Sequence, residues 1–323
     1  MTILYIAHGG FGDVALTTAW PKIWVEQGHI VDVFLIRYTG NPFYKNPHVR
    51  NLFLVSYSAA SNELSKVLEN NYDKIAIMKN SESGFGIVID KIRNLENAVI
   101  MTHSDLKKPD SLIPWYSKPD FYFDAQESDY VSKNNLENST VFHPLSSSYS
   151  EESRNIAFSV IEDCSKVMDK VVITGGCRDA FGNYHTPDAL ERLKNSNIKL
   201  MWENYNCFDD DHGTVLGKTF ALVSKCKISI HAWGGSNVIP IAYDKPLIIV
   251  VPRDTIRANS NSPYYNSEGL FMSQREYFLN IHLKSPNAWC ITDKASDLLG
   301  AVDVVLSGRS GLFNKTWKFF EKD

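Results

Sequence analysis

The sequence predicts an α/β protein made of two doubly wound domains, each a parallel sheet with helices on both faces. Three observations carry this reading. Short β-rich apolar runs alternate with longer segments of helical period, the alternation breaks once between residues 102 and 140 and then resumes, and 323 residues suit two domains of about 150 residues each. The chain has 37 acidic and 33 basic side chains, a formal net charge of −4 and 44% apolar residues. That balance excludes a disordered chain and supplies no basic field for unspecific attraction of nucleic acid.

The first run, Ile3 to Ala7, is a predicted strand, followed by a turn and a helix over Val14 to Gln27. Further strands are predicted at Ile30 to Ile36, Asn51 to Val55, Ile75 to Met78 and Ala98 to Met101, with crossover segments such as Ser61 to Asn70 between them. Residues 102–140 break the pattern with Pro109, Pro114 and Pro119 and with the aromatic clusters Trp115-Tyr116 and Phe121-Tyr122-Phe123, marking the end of one domain and the approach to a linker. The second series of strands falls at Ser139 to Phe142, Val171 to Thr174, Ile198 to Met201, Lys227 to Ile230 and Pro246 to Val251. The segment Gly311 to Asp323 holds Phe313, Trp317, Phe319 and Phe320, too many aromatics for a free tail, and is expected to return to the body as a helix. The expected division is a first domain over 1–140, a second over 141–305 and a returning helix over 306–323.

Met1 leads directly into the first strand, and no run reaches the roughly 18 apolar residues of a membrane span, so neither a leader nor a span is expected. The five cysteines, Cys164, Cys177, Cys207, Cys226 and Cys290, are odd in number and widely spaced, with no C-x-x-C pair. They indicate neither a disulfide framework nor a clustered zinc site, and a reducing cytoplasm is the simpler setting.

The most informative segment is the first turn, His8-Gly9-Gly10-Phe11-Gly12-Asp13-Val14. Its glycines permit a tight turn and close approach of another molecule, while the helix that follows offers free N–H groups. Gly10-x-Gly12-x-x-Ala15 also satisfies a loose dinucleotide fingerprint, but the second strand ends in Ile36-Arg37-Tyr38 without the acid that would hold a ribose; Arg37 leaves an NADP-dependent reductase as an alternative. Asp13 has two readings. It is a carboxylate placed to take a proton from a hydroxyl, or it complements the positive end of the helix. His8 and His231 are the histidines nearest the expected site; each either binds sugar or phosphate or simply bonds to nearby backbone.

In the second half, Ser146-Ser147-Ser148 follows a strand, Arg154 lies near a helix start, and Gly234-Gly235-Ser236 opens another helix over Asn237 to Tyr243. These groups suit a diphosphate: hydroxyls and backbone N–H groups meet its oxygens, and a fixed positive charge stabilises it as a leaving group. Glu203, Asn204 and Asn206 follow the strand at Ile198 and are placed either to bond a nucleoside or as plain loop. Asp209-Asp210-Asp211-His212 is best read as a solvated acidic loop, and no metal constellation, phosphate-loop motif or hydrolase nucleophile turn is present in the sequence.

Taken in order, Ile3-Leu4-Tyr5-Ile6, Gly10-Phe11-Gly12-Asp13-Val14-Ala15-Leu16-Thr17-Thr18, Pro21, Asp32-Val33 and Asn46-Pro47-His48-Val49 resemble the amino-terminal domain of the heptosyltransferase-like glycosyltransferases of family 9. Val141-Phe142-His143-Pro144 with its serines and Arg154, then Val171 to Gly176, then Ala221 to Ile230 with Trp233-Gly234-Gly235, Ala242 and Lys245-Pro246, resemble that family's second domain. The resemblance spans about residues 2–251. Trp233 stands where the family has Asp, Gly234 where it has Ser or Thr, and Val238 where it often has His, all in the loop that handles the donor diphosphate.

The resemblance implies a GT-B fold, two Rossmann-like domains facing across a cleft, and transfer of a sugar, a heptose or related hexose, from a nucleotide diphosphate sugar to an acceptor hydroxyl with inversion and without a metal. It implies Asp13 as general base, His8, Gly10 and Gly12 on the acceptor side, and Ser146, Ser147, Arg154, Glu203, Gly234, Gly235 and Ser236 on the donor side. No cofactor is expected beyond the sugar nucleotide. The expected acceptor is a glycan, a lipopolysaccharide-like molecule or another hydroxyl compound, and the expected state is a monomer. A non-catalytic protein that binds sugar nucleotides is the other alternative. An acceptor on modified DNA receives no support from the flat charge distribution.

Overall fold

The computed structural model of the chain describes residues 1–9, 11–37, 40–78, 86–101, 118–144, 151–174, 198–200, 214–232, 235–251, 287–291 and 293–308. In chain order the elements are β1 (Thr2–His8), α1 (Phe11–Ala15), α2 (Trp20–Glu26), β2 (Ile30–Arg37), β3 (Asn51–Ser56), α3 (Ala60–Leu68), β4 (Lys74–Met78), α4 (Gly86–Ile92), β5 (Ala98–Met101) and α5 (Ala125–Lys133). They continue with β6 (Thr140–His143), α6 (Glu151–Ser165), β7 (Val171–Ile173), β8 (Ile198–Leu200), α7 (Thr214–Lys225), β9 (Ile228–Ala232), α8 (Val238–Ala242), β10 (Leu247–Val251), β11 (Asn287–Ile291) and α9 (Ala295–Leu306). Short 3-10 turns occur at Tyr57–Ala59 and Gly235–Asn237.

The described residues fall into two compact units, one ending at Tyr122 and the other starting at Phe123. Each holds one all-parallel sheet, with strand orders β3-β2-β1-β4-β5 and β11-β10-β9-β6-β7-β8. Counted from its own first strand and read from the β8 end, the second order is 3-2-1-4-5-6, and the first is the same series without its last member. Both are the doubly wound Rossmann order expected from the sequence. Each has one switch point, where the chain reverses its direction of travel across the sheet: between β1 and β4 in the first unit, and between β6 and β9 in the second.

In the first unit, alternate residues of β1 serve opposite cores. Ile3, Tyr5 and Ala7 pack with Trp20, Trp24 and Phe43, while Leu4 and Ile6 pack with Leu64 and Val67 of α3 and with Val88, Ile89 and Ile92 of α4. The Tyr5 ring lies 5.2 Å from Trp20, 5.7 Å from Trp24 and 6.2 Å from Phe43, in tilted and edge-on contacts. In the second unit, Phe142, Ile173, Ile228, Ile230, Ile248 and Val250 pack against Phe158 and Ile161 of α6 and against Leu298, Ala301 and Val305 of α9.

The expected helix over Val14 to Gln27 is two helices separated by a break at Leu16 to Ala19. Locally, the hydroxyls of Thr17 and Thr18 bond back to the carbonyls of Val14 (2.8 Å) and Ala15 (2.7 Å), and Pro21 cannot donate to Thr17 as a continuous helix requires. Distant groups then hold the break: the Asn46 amide donates to Thr18 O (3.0 Å), and the Asp120 N–H donates to Thr18 Oγ1 (3.0 Å). The Asn46 side-chain Oδ1 also accepts from the His48 N–H, closing the Asn46-Pro47-His48 turn.

Residues 123–140, read in the sequence as the end of the first domain, belong with the second unit. Asp124 and Glu127 form a capping box that starts α5, with bonds of 3.1 Å and 2.6 Å. α5 is tied to α7 through Lys225, which donates to Ser128 O, Ser132 Oγ and Glu137 Oε1. β11 was not anticipated; it pairs with β10 from Leu247↔Asn287 to Val251↔Ile291. The helix expected over Asn237 to Tyr243 begins instead with the 3-10 turn and is helical only at Val238–Ala242. The segment Gly311 to Asp323 lies outside the described residues.

Asp32, 1% exposed near the start of β2, accepts from Arg50 Nε (2.9 Å) and Nη2 (2.6 Å), the Asn51 backbone (3.1 Å) and side chain (3.2 Å), and Tyr72 OH (2.9 Å). It lies at the end of the sheet opposite the switch point, so its role is to lock β2, β3 and the approach to β4. Burial pushes its carboxyl up, but the donors from Arg50, Tyr72 and Asn51 outweigh burial and leave it below the ordinary 3.8. Asp32→Asn is expected to lower unfolding free energy by about 3 kcal/mol in urea titration, as removal of one partner of a buried pair does. Because the folded value is the lower one, the Asp32 contribution is complete above the unfolded pKa and lost as pH falls through the folded one. The deficit of the variant should therefore shrink in acid.

Candidate functional site

Ligands of doubly wound sheets bind outside the carboxyl ends of the strands at the switch point. In the first unit that place is the end of β1, where His8 is followed by Gly9 at φ 126°, a conformation that a side chain would strain. The chain then enters α1, which carries Gly12 and Asp13. The structure thus puts His8, Gly12 and the Asp13 backbone at one switch point; Gly10 lies outside the described residues. Burial drops the His8 pKa from 6.5 to about 4. At neutral pH it is an uncharged hydrogen-bonding group rather than a cation.

In the second unit the switch point lies at the ends of β6 and β9, where His143 is directly opposite His231. Ser229 and His231 share one face of β9, opposite the face on which Ile228 and Ile230 join the apolar core. Both are buried, at 0% and 1% exposure. His231 Nε2 lies 2.7 Å from Ser229 Oγ and Nδ1 lies 3.2 Å from Ser236 Oγ, so the imidazole links its own strand to the 3-10 turn Gly235–Asn237. A neutral ring has one N–H and one lone pair, so one serine accepts and the other donates.

Burial above all, with His143 beside it and a weaker opposing contribution from the Ser236 backbone, holds the His231 pKa well below 6.5. The two imidazoles stack with centroids 5.2 Å apart and planes inclined by 22°. His143 Nδ1 lies 3.2 Å from Thr174 Oγ1. The Thr174 hydroxyl also lies 3.3 Å from Phe142 O, so it stands between that carbonyl and the His143 ring. The result is a row of polar side chains, Thr174, His143, His231 and Ser229, across β7, β6 and β9, ending at Ser236 in the turn.

Of the residues expected on the donor side, Ser236 and Gly235 therefore stand at the switch point. Arg154 is on α6, the helix that follows β6, where it is placed by its backbone. Ser146, Ser147, Glu203 and Gly234 lie outside the described residues, as do Trp233 and Asp209-Asp210-Asp211-His212. His143 and Thr174 were not singled out as site residues from the sequence. The signal was present, since His143 ends one strand and Thr174 follows the next, and both border the switch point. Cys164 and Cys226 are buried thiols whose pKa values burial pushes up to about 12, which makes them inert packing groups. Among the described residues no helix is long and apolar enough to cross a membrane, and no three His, Cys, Asp or Glu side chains are grouped to hold a metal ion.

With these two switch points in place, comparison with solved structures defines the fold class: it is the GT-B fold of glycosyltransferases, in the form seen in heptosyltransferases. The ADP-heptose lipopolysaccharide heptosyltransferase II of E. coli superposes with a TM-score of 0.63 at 14% identity, covering 96% of this chain and 99% of that one. A family 9 glycosyl transferase from Veillonella parvula gives 0.60 at 13% identity, over 95% and 97%. E. coli heptosyltransferase WaaC with ADP-2-deoxy-2-fluoro heptose gives 0.53 at 14% identity, over 96% and 100%. At these identities the likeness establishes the fold. No family model matches the chain, and no curated protein matches it.

The buried imidazoles have a consequence for acid stability. The folded His8 pKa lies below the unfolded 6.5, so stability is complete above pH 6.5 and is lost as pH falls toward 4, while the unfolded chain takes up the proton. His231 acts in the same direction. Urea unfolding at pH 7 and pH 5 should show a stability loss in the wild type that is smaller in His8→Gln. An equal loss would mean that His8 titrates normally in the folded state.

Proposed function

We propose that this protein transfers a sugar, a heptose or a related hexose, from a nucleotide diphosphate sugar to an acceptor hydroxyl, in one inverting displacement. The observation that carries the proposal is the shared two-sheet fold, which extends over at least 95% of both chains in the comparisons with heptosyltransferase II and the Veillonella transferase. The positions of Asp13 and Ser236 at the two switch points are consistent with it. The first unit takes the acceptor and the second takes the donor.

Asp13 acts as general base. The acceptor O–H gives its proton to the Asp13 carboxylate while the oxygen bonds to the anomeric carbon. The bond from that carbon to the diphosphate breaks with its electron pair, and the nucleoside diphosphate leaves from the opposite face. His8, neutral at pH 7, bonds a sugar hydroxyl, and the glycines of the turn let the acceptor approach the backbone. On the donor side, Gly234, Gly235 and Ser236 contribute N–H and hydroxyl groups, Ser146 and Ser147 add hydroxyls, Arg154 adds a fixed positive charge to the leaving diphosphate, and Glu203 holds the nucleoside. Trp233, where the family has Asp, gives this loop a large apolar side chain in place of a charge.

The reading is tested by a thermal-shift screen with ADP-, UDP-, GDP- and CDP-sugars and with NADP. A ligand at about 100 times its dissociation constant adds about 2.7 kcal/mol to stability. One sugar nucleotide should raise the melting temperature and NADP should not; stabilisation by NADP alone would overturn the reading. With the true donor and acceptor, Asp13→Asn should keep donor affinity while lowering turnover by ~10² or more. Arg154→Ala should weaken donor binding by about 2 kcal/mol, the scale of a charge-assisted hydrogen bond.

A further inference from the structure

We propose that His231 is a positioning residue for the donor: it acts through Ser236 to hold the turn Gly235–Asn237 in the conformation that receives the nucleoside diphosphate. The inference rests on the donor reading above and adds a residue to which neither the sequence resemblance nor the comparisons give a role.

His231 is 1% exposed and cannot touch a ligand directly. What it touches is Ser229 Oγ at 2.7 Å on its own strand and Ser236 Oγ at 3.2 Å in the turn. Strand and turn are thus joined side chain to side chain just where the chain leaves the sheet. Ser229 is 0% exposed and belongs to a strand hydrogen-bonded on both sides, to β6 and to β10, so it is a rigid anchor. Ser236, 7% exposed, is the end of the relay that lies in the turn.

The stacked His143 ring, 5.2 Å away, confines the plane of the His231 ring, and Thr174 in turn confines His143. A buried strand needs only apolar side chains to pack. Ser229 bonded to His231 and Thr174 bonded to His143, with the two imidazoles stacked on each other, add direction to packing at the switch point, because each hydrogen bond restricts the orientation of its partner.

Two variants separate positioning from structure. An asparagine amide occupies roughly the place of Nδ1, so His231→Asn keeps the link to Ser236 and loses Ser229. A glutamine amide reaches roughly the place of Nε2, so His231→Gln keeps Ser229 and loses Ser236. Each retains one of two hydrogen bonds, so a purely structural role makes the pair equal in stability and equal in donor binding. The positioning role predicts that they split. His231→Gln should weaken binding of the best of ADP, UDP, GDP and CDP, measured by calorimetry, by about tenfold, and raise the donor KM with little change in kcat; His231→Asn should stay close to wild type. Amide hydrogen exchange at Gly235, Ser236 and Asn237 should speed up in His231→Gln and not in His231→Asn.

Equal exchange at the turn in both variants would overturn the positioning role, whatever binds. A split in exchange without any binding of the four diphosphates by the wild type would overturn the donor reading, and with it the donor part of this proposal, while keeping His231 as the support of the turn.

Discussion

A parallel sheet covered by helices on both faces leaves polar chemistry very little room, and this constraint organises both units of the protein. The strands at the centre, β1 in one sheet and β6 with β9 in the other, are buried along their length, so polar side chains on them must satisfy one another or be placed at strand ends. Opposite strand ends are used differently. At the amino end of β2, Asp32 collects five hydrogen bonds and locks the sheet. At the carboxyl ends, next to the switch points, stand His8, His143 and His231.

Both switch points use a histidine that burial keeps neutral at physiological pH. A charged ring there would cost desolvation. A neutral ring instead offers one donor and one acceptor. In the first unit it neighbours the glycine turn before Asp13, and in the second it ties a rigid strand to the turn holding Ser236. Asp13 and Arg154 lie on α1 and α6, the helices that follow β1 and β6.

The break between α1 and α2 shows how the first site is framed. Thr17 and Thr18 turn their hydroxyls back on the helix, and the break is then gripped by Asn46 from the loop before β3 and by Asp120 from the segment after β5. The Asn-Pro pair that resembles a family signature thus acts as a structural clasp. It fixes the length of α1, the helix that carries Asp13.

Most of the fold was legible in the residues because parallel strands are short, apolar and rich in branched side chains, and the crossovers between them have helical period. β1 to β10 follow from that rule, as does the doubled architecture. The glycine turn was legible because a positive φ such as that of Gly9 favours glycine, whereas an acid at a helix start such as Asp13 keeps both of its readings. Local pattern holds only part of the helix break, in Thr17, Thr18 and Pro21; the bonds that grip it come from Asn46 and Asp120, 28 and 102 residues away from Thr18. Local pattern did not assign α5 to the second unit, which depends on Lys225. The pairing of His143 with His231 belongs to tertiary structure as well: the alternation Ile228-Ser229-Ile230-His231 reads as a strand with one wet face, and only the register of β6 against β9 stacks the His143 ring on that of His231 and turns the face inward. Periodicity is a property of neighbours in the chain, and hydrogen-bond partners are chosen by the sheet that brings distant strands together.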